Sequence, residues 1–174
     1  MWSSGRLAVV AAFLGVCWSP FAAAEQSLAL KVWIAPPDAA GAVQRAAQGA
    51  HRRLREDKCR VVLSDFVDAS GRSLQQNLDQ LGLTAADYLS FVILVDAKDR
   101  ETTNTVSPCR NPGTLAFTTP GSRVVNVCTP QFSASKRAIA ENALIHEMLH
   151  TLGLGENPPS SSEITQRVRK RCGS

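Results

Sequence analysis

Alternation of apolar and polar side chains predicts a strand early in the chain, from Leu28 to Ala35. Pro36 and Pro37 end this strand, because proline cannot donate a hydrogen bond to a neighbouring strand. The run from Phe91 to Val95 is apolar at every position, which is typical of a central strand covered on both faces. The two runs predict a sheet with the second run in its interior.

Three further segments have the composition of short strands. Cys59–Asp65 is rich in valine and leucine and is predicted to be extended. Thr114–Thr118 and Arg123–Val127 are separated by the turn-forming residues Thr119–Ser122, which include Pro-Gly. These last two segments are therefore predicted to pair with each other.

Helical patterns alternate with these strands. Asp38 is placed to cap a long helix, rich in alanine, glutamine and arginine, that runs to about Asp57. After a turn at Asp68–Gly71, short helices are predicted over Ser73–Leu81 and Thr84–Leu89. The order of elements indicates an α+β domain.

Two more helices are predicted in the C-terminal part. Ser133 or Ser135 caps a helix that runs to about Leu152. The segment Ser160–Glu163 has the Ser-x-x-Glu pattern of a capping box and begins a last, short helix that ends near Cys172. The first of these helices carries an apolar stripe at helical spacing, formed by Ile145, Met148, Leu149 and Leu152.

The same helix contains the pattern H-E-x-x-H, with two of the three histidines of the sequence at His146 and His150. Residues four apart lie on one face of a helix, so the two imidazoles can bind one metal ion. Glu147 faces the same opening, where it can take a proton from a water molecule activated by the metal. The pattern predicts a zinc-dependent hydrolytic site, and the alternative is a core helix with two hydrogen-bonded histidines.

The pattern extends to H-E-x-x-H-x-x-G-x-x-E, with Gly153 and Glu156 at the last fixed positions. This segment resembles the active-site helix of the zincin metallopeptidases, and most closely that of the metzincins. The resemblance implies that His146 and His150 are zinc ligands, that Glu147 is the general base and that Gly153 turns the chain out of the helix. It implies a third ligand at position 156, where metzincins have His or Asp and this chain has Glu.

The resemblance also implies a zincin-like fold: a small mixed sheet, a long N-terminal helix, an active-site helix and a short C-terminal helix. In that fold an antiparallel edge strand borders the cleft and pairs with an extended peptide substrate. Leu115–Phe117, or the strand next to it, is the candidate for this edge. The implied reaction is hydrolysis of a peptide bond, with a protein or peptide as substrate.

The sequence departs from the metzincin pattern in one further respect. Metzincins have a methionine-containing turn under the metal, after the third ligand, but the methionines of this chain are Met1 and Met148. That turn is therefore missing or built differently. His51 and Glu163 are the alternative candidates for the third metal ligand, in place of Glu156.

The N-terminus resembles a secretory signal peptide. Arg6 precedes an apolar run from Leu7 to Trp18, and Ala22–Ala24 fits a cleavage site. We therefore predict a signal peptide over residues 1–24, a mature domain over residues 25–174, and a secreted or periplasmic location without stable membrane insertion. A lipoprotein site at Cys17 is the less favoured alternative.

Four cysteines remain after this predicted cleavage. An even number in an exported chain indicates two disulfides, and three pairings are open. Cys109–Cys128 is favoured because it would close a predicted strand pair, which leaves Cys59–Cys172 to fix the C-terminal helix.

Charge and composition narrow the functional classes. The chain has 19 basic and 15 acidic residues, and its basic clusters lie near predicted helix ends with few aromatic residues among them. We therefore expect that the protein binds no nucleic acid, and we separately predict a monomer. A non-catalytic zincin-like binding or inhibitor module and a hydrolase of cell-wall amides remain alternatives; Glu147 argues against the former.

Overall fold

The computed structural model describes residues 29–100 and 107–173, so the predicted signal peptide lies outside the described residues. Four strands form one mixed sheet in the order β1-β2-β4-β3. Strands β1, β2 and β4 are parallel, and β3 pairs antiparallel with β4 at one edge. The strands are β1 (Lys31–Trp33), β2 (Ile93–Asp96), β3 (Ala116–Thr118) and β4 (Val124–Val127).

Within the described residues, seven α-helices accompany this sheet. The predicted α+β class is therefore confirmed. They are α1 (Pro37–Leu54), α2 (Asp57–Arg60), α3 (Leu74–Gln80), α4 (Ala85–Leu89), α5 (Thr129–Ala134), α6 (Arg137–Thr151) and α7 (Ser161–Cys172). Short 3₁₀ helices span Val61–Ser64, Ala97–Arg100 and Pro108–Arg110. The prediction of a long first helix, an H-E-x-x-H helix and a short last helix is confirmed.

The core lies between one face of the sheet and helices α1 and α6. Leu94 of β2 pairs in register with Val125 of β4, and both side chains are buried. Val127 lies on the same face, two residues along β4, as the period of a strand requires. An interior strand is thus present, as predicted, but it spans Ile93–Asp96, and Phe91 lies outside it with an exposed side chain.

The segment Cys59–Asp65 is helical, so its prediction as a strand was wrong. Cys59, Val62 and Leu63 are all fully buried, at the spacing of three and four residues that places side chains on one helical face. Burial of this face outweighs the preference of the two valines for extended structure.

Two predicted helix caps were also wrong. Pro36 is the N-cap of α1, while Asp38 lies in the first turn, where its negative charge interacts favourably with the positive end of the helix dipole. Lys136 precedes α6, because residues 129–134 form a separate helix that contains Ser133 and has Ser135 as its C-cap. The capping boxes that begin α3 and α7 are present, the latter between Ser160 and Glu163 as predicted.

Both favoured disulfides are present, Cys59–Cys172 and Cys109–Cys128. The first connects α2 to the end of α7. Arg171 of α7 reinforces this attachment by donating two hydrogen bonds of 2.8 Å to the carboxylate of Asp65. These interactions fix α7 against the body of the domain.

A close approach between α1 and α6 gives a testable prediction. A Cβ atom on Gly49 would lie 2.0 Å from Oε1 of Glu141. Glu141 cannot move freely, because it is buried and accepts hydrogen bonds from Arg53 (2.7 Å) and Arg137 (2.9 Å). Gly49→Ala is therefore expected to lower the free energy of unfolding by about 1–3 kcal/mol, measured by urea denaturation.

Gly41→Ala is the matched control in the same helix. Its Cβ would meet only the flexible end of Arg45, at 3.2 Å. The greater helix propensity of alanine should then leave the free energy of unfolding unchanged or raise it by up to about 1 kcal/mol. Equal effects of the two substitutions would contradict the proposed steric conflict.

Candidate metal centre

Helix α6 ends in a glycine turn that redirects the chain beside the two histidines. Gly153 has φ +105°, a conformation that glycine adopts without a steric penalty. Its N–H donates to the carbonyl of His150 (2.9 Å), and the N–H of Leu154 donates to the carbonyl of Leu149 (3.2 Å). This pair of bonds is a Schellman motif, and it directs the following residues back toward the site.

Other parts of the fold fix the end of this helix by binding its last carbonyl groups. The N–H of Gly121, in the turn between β3 and β4, donates to His150 (2.9 Å). The hydroxyl of Tyr88 donates to Thr151 (3.2 Å), and the side-chain amide of Asn77 donates to Leu152 (3.0 Å). The H-E-x-x-H turn is therefore held rigidly from three directions.

His146, His150 and Glu156 come together, with one ligand atom from each within 4.8 Å of the others. The two Nε2 atoms are 3.1 Å apart. Oε1 of Glu156 lies 3.4 Å from Nε2 of His150 and 3.8 Å from Nε2 of His146. Both histidines are buried, whereas the Glu156 side chain is 42% exposed and forms the open side of the cluster.

The opposite nitrogen of each imidazole has a protein partner. Nδ1 of His150 lies 2.7 Å from the carbonyl oxygen of Leu154, and Nδ1 of His146 lies 3.0 Å from Oγ1 of Thr165 on α7. Such contacts orient a histidine so that its Nε2 faces a metal. Burial, and then the neighbouring His150, lower the pKa of His146 to about 4, so its ring is neutral at pH 7.

Glu147 lies beside this cluster with a buried carboxylate, which is 7% exposed. Its Oε2 atom has no hydrogen-bond partner among the described residues. Burial, and then the charge of Glu156, raise the pKa of Glu147 to about 8, while a hydrogen bond with the backbone of Thr118 acts in the opposite direction. A bound dication would favour the charged carboxylate and lower this pKa.

The two rivals for the third ligand position lie elsewhere. His51 is on α1, where burial, Arg55 and Arg52 lower its pKa and Asp87 raises it. The carboxylate of Glu163 is engaged with Ser160 at the start of α7. Neither residue belongs to the cluster, so the geometry favours Glu156.

The sequence pattern did not identify Thr118 or Thr165 as part of the site. Thr118 ends edge strand β3, and Thr165 lies on α7, distant from the motif in sequence. Contact between Thr165 and His146 depends on tertiary packing, which the motif does not encode.

The donor set of two imidazoles and one carboxylate, each imidazole with an outer partner, suits a divalent metal ion such as zinc. Within the described residues, no helix is both long enough and apolar enough to cross a membrane. Comparisons of the chain with protein-family models, with curated proteins and with solved structures found no match.

Proposed function

We propose that this protein is a secreted, zinc-dependent metallopeptidase of zincin type. The observation that carries the proposal is the cluster of His146, His150 and Glu156 beside the buried, unpartnered carboxylate oxygen of Glu147. A purely structural metal site does not need a general base beside the metal, and the presence of this carboxylate therefore argues against a non-catalytic binding module.

His146, His150 and Glu156 would hold the ion, as in known catalytic sites with two histidines and one glutamate. When bound, zinc supplies a Lewis acid that polarises a carbonyl group and lowers the pKa of water. The exposed position of Glu156 leaves one side of the cluster open for water and substrate.

Glu147 is the general base of the proposed reaction. Its carboxylate takes a proton from the attacking water and then gives it to the leaving amine, so the residue ends the cycle unchanged. The carboxylate must be ionised to accept this proton, and a dication bound beside it would favour the charged form. Its buried position also limits competing proton exchange with solvent.

Edge strand β3 offers a surface for an extended peptide. Its antiparallel partner is β4, so its other side is an edge of the sheet. The hydrogen bond between the backbone of Thr118 and Glu147 places the end of this strand next to the proposed base. A substrate that paired with β3 as an additional strand would pass the metal cluster with its backbone extended.

The proposal includes export from the cytoplasm. The N-terminal segment has the features of a signal peptide, and disulfides such as Cys59–Cys172 and Cys109–Cys128 persist in oxidising compartments. Substrates would then be extracellular or periplasmic proteins.

The direct test is to incubate the purified, zinc-loaded protein with casein and, separately, with purified cell wall. We expect casein fragments that disappear when a metal chelator is added and return with zinc. Release of cell-wall peptides without cleavage of casein would instead favour the amide hydrolase. Zinc binding without hydrolysis of either substrate would contradict the peptidase proposal.

A further inference from the structure

The two histidines of the cluster are oriented by chemically different partners. Nδ1 of His150 faces the backbone carbonyl of Leu154 at 2.7 Å, which can only accept a hydrogen bond. His150 must therefore carry its proton on Nδ1 when neutral, which leaves Nε2 free to bind a metal. Nδ1 of His146 faces the hydroxyl of Thr165 at 3.0 Å, and a hydroxyl can either donate or accept.

This difference matters because the two Nε2 atoms are only 3.1 Å apart. In protein prepared without metal, two bare nitrogens at this distance would repel each other. Since His150 holds its proton on Nδ1, His146 relieves the repulsion by carrying its own proton on Nε2. Its Nδ1 then accepts from Thr165, and the direction of that hydrogen bond reverses when Nε2 binds metal.

We propose that Thr165 is a positioning residue for the metal centre, whose hydroxyl holds the ring of His146 in place in both tautomers. The inference rests on the proposed metal site. Helix α7 brings Thr165 to this position, and the helix is itself anchored through Cys172 and Arg171. The Thr165 side chain is half-buried.

The test compares Thr165→Val with Thr165→Ser by measuring zinc affinity in competition with a chromogenic chelator. Valine keeps the shape but removes the hydroxyl, so we expect zinc affinity to fall about 10–100-fold. Serine restores the hydroxyl and should return the affinity to near the wild-type value. Gln166→Ala, an exposed change on the same helix, should have no effect. Wild-type affinity in folded Thr165→Val would overturn the proposal.

Nitrogen-15 NMR of the imidazole rings tests the same inference without metal. In the metal-free wild type, His150 should be protonated on Nδ1 and His146 on Nε2, and zinc should move the His146 proton to Nδ1. Thr165→Val should change the His146 ring signals and leave those of His150 in place. Unchanged His146 signals in Thr165→Val would reject the positioning role of Thr165, whether or not the wild type binds zinc. Absence of zinc binding by the wild type would instead reject the peptidase proposal.

Discussion

Glu147→Gln is expected to reduce peptide hydrolysis by about 10²–10⁴-fold while leaving zinc bound. Glutamine has nearly the same shape as glutamate but cannot accept the proton of the attacking water. The three proposed ligands are other residues, so the metal content should not change. Stability should be maintained as well, because the substitution removes a carboxylate from a buried position.

Glu163→Gln is the matched control for this substitution. It makes the same chemical change at the exposed start of α7, where glutamine can also form a capping box with Ser160. Its hydrolysis rate should equal that of the wild type. Normal cleavage by Glu147→Gln would show that Glu147 is not the general base.

Removal of the Cys59–Cys172 disulfide is the structural change with the largest expected effect. The bond joins residues 113 positions apart, so it restricts the unfolded chain strongly. The chain-entropy relation gives about 5 kcal/mol for a loop of this length. The Cys59→Ala/Cys172→Ala double variant is therefore expected to lose much of its stability, and α7 to lose its covalent anchor.

The other disulfide provides the comparison. Cys109 and Cys128 are 19 positions apart, for which the same relation gives about 3 kcal/mol. Urea denaturation of both double variants, and of the wild type with and without a reducing agent, measures the difference. Equal stability of the reduced and oxidised wild type would contradict the presence of these bonds.

The sequence predicted the parts of the fold that depend on local signals. Ser160 and Glu163 form the expected capping box, and Gly153 has the positive φ that the turn after the motif requires. The continuous apolar run at 91–95 indicated the interior strand β2, because such a run is typical of a strand covered on both faces.

Tertiary context decided the parts that the sequence did not predict. Cys59–Asp65 has the composition of a strand, but a buried helical face and the disulfide to α7 make it helical. Lys136, which lacks a capping side chain, precedes α6 because a separate helix, α5, ends just before it. For Cys59–Asp65, contacts between distant segments outweighed the local preference.

The candidate site likewise contains residues that the sequence predicted and residues that only the structure identified. His146, Glu147 and His150 follow from spacing alone, since a helix places them together. The choice of Glu156 over its rivals required the structure, because only the path of the chain after Gly153 brings its carboxylate to the histidines. Thr165 was not predicted at all, since nothing in the local sequence around it marks a contact with His146.

The central claim is that His146, His150 and Glu156 bind one zinc ion, and metal content of the purified protein tests it most directly. Mass spectrometry should find close to one zinc per wild-type chain and much less in Glu156→Ala. Glu163→Ala, which removes the carboxylate at the start of α7, should retain the wild-type zinc content. A folded wild type without zinc, or full zinc retention by Glu156→Ala, would contradict the proposed centre.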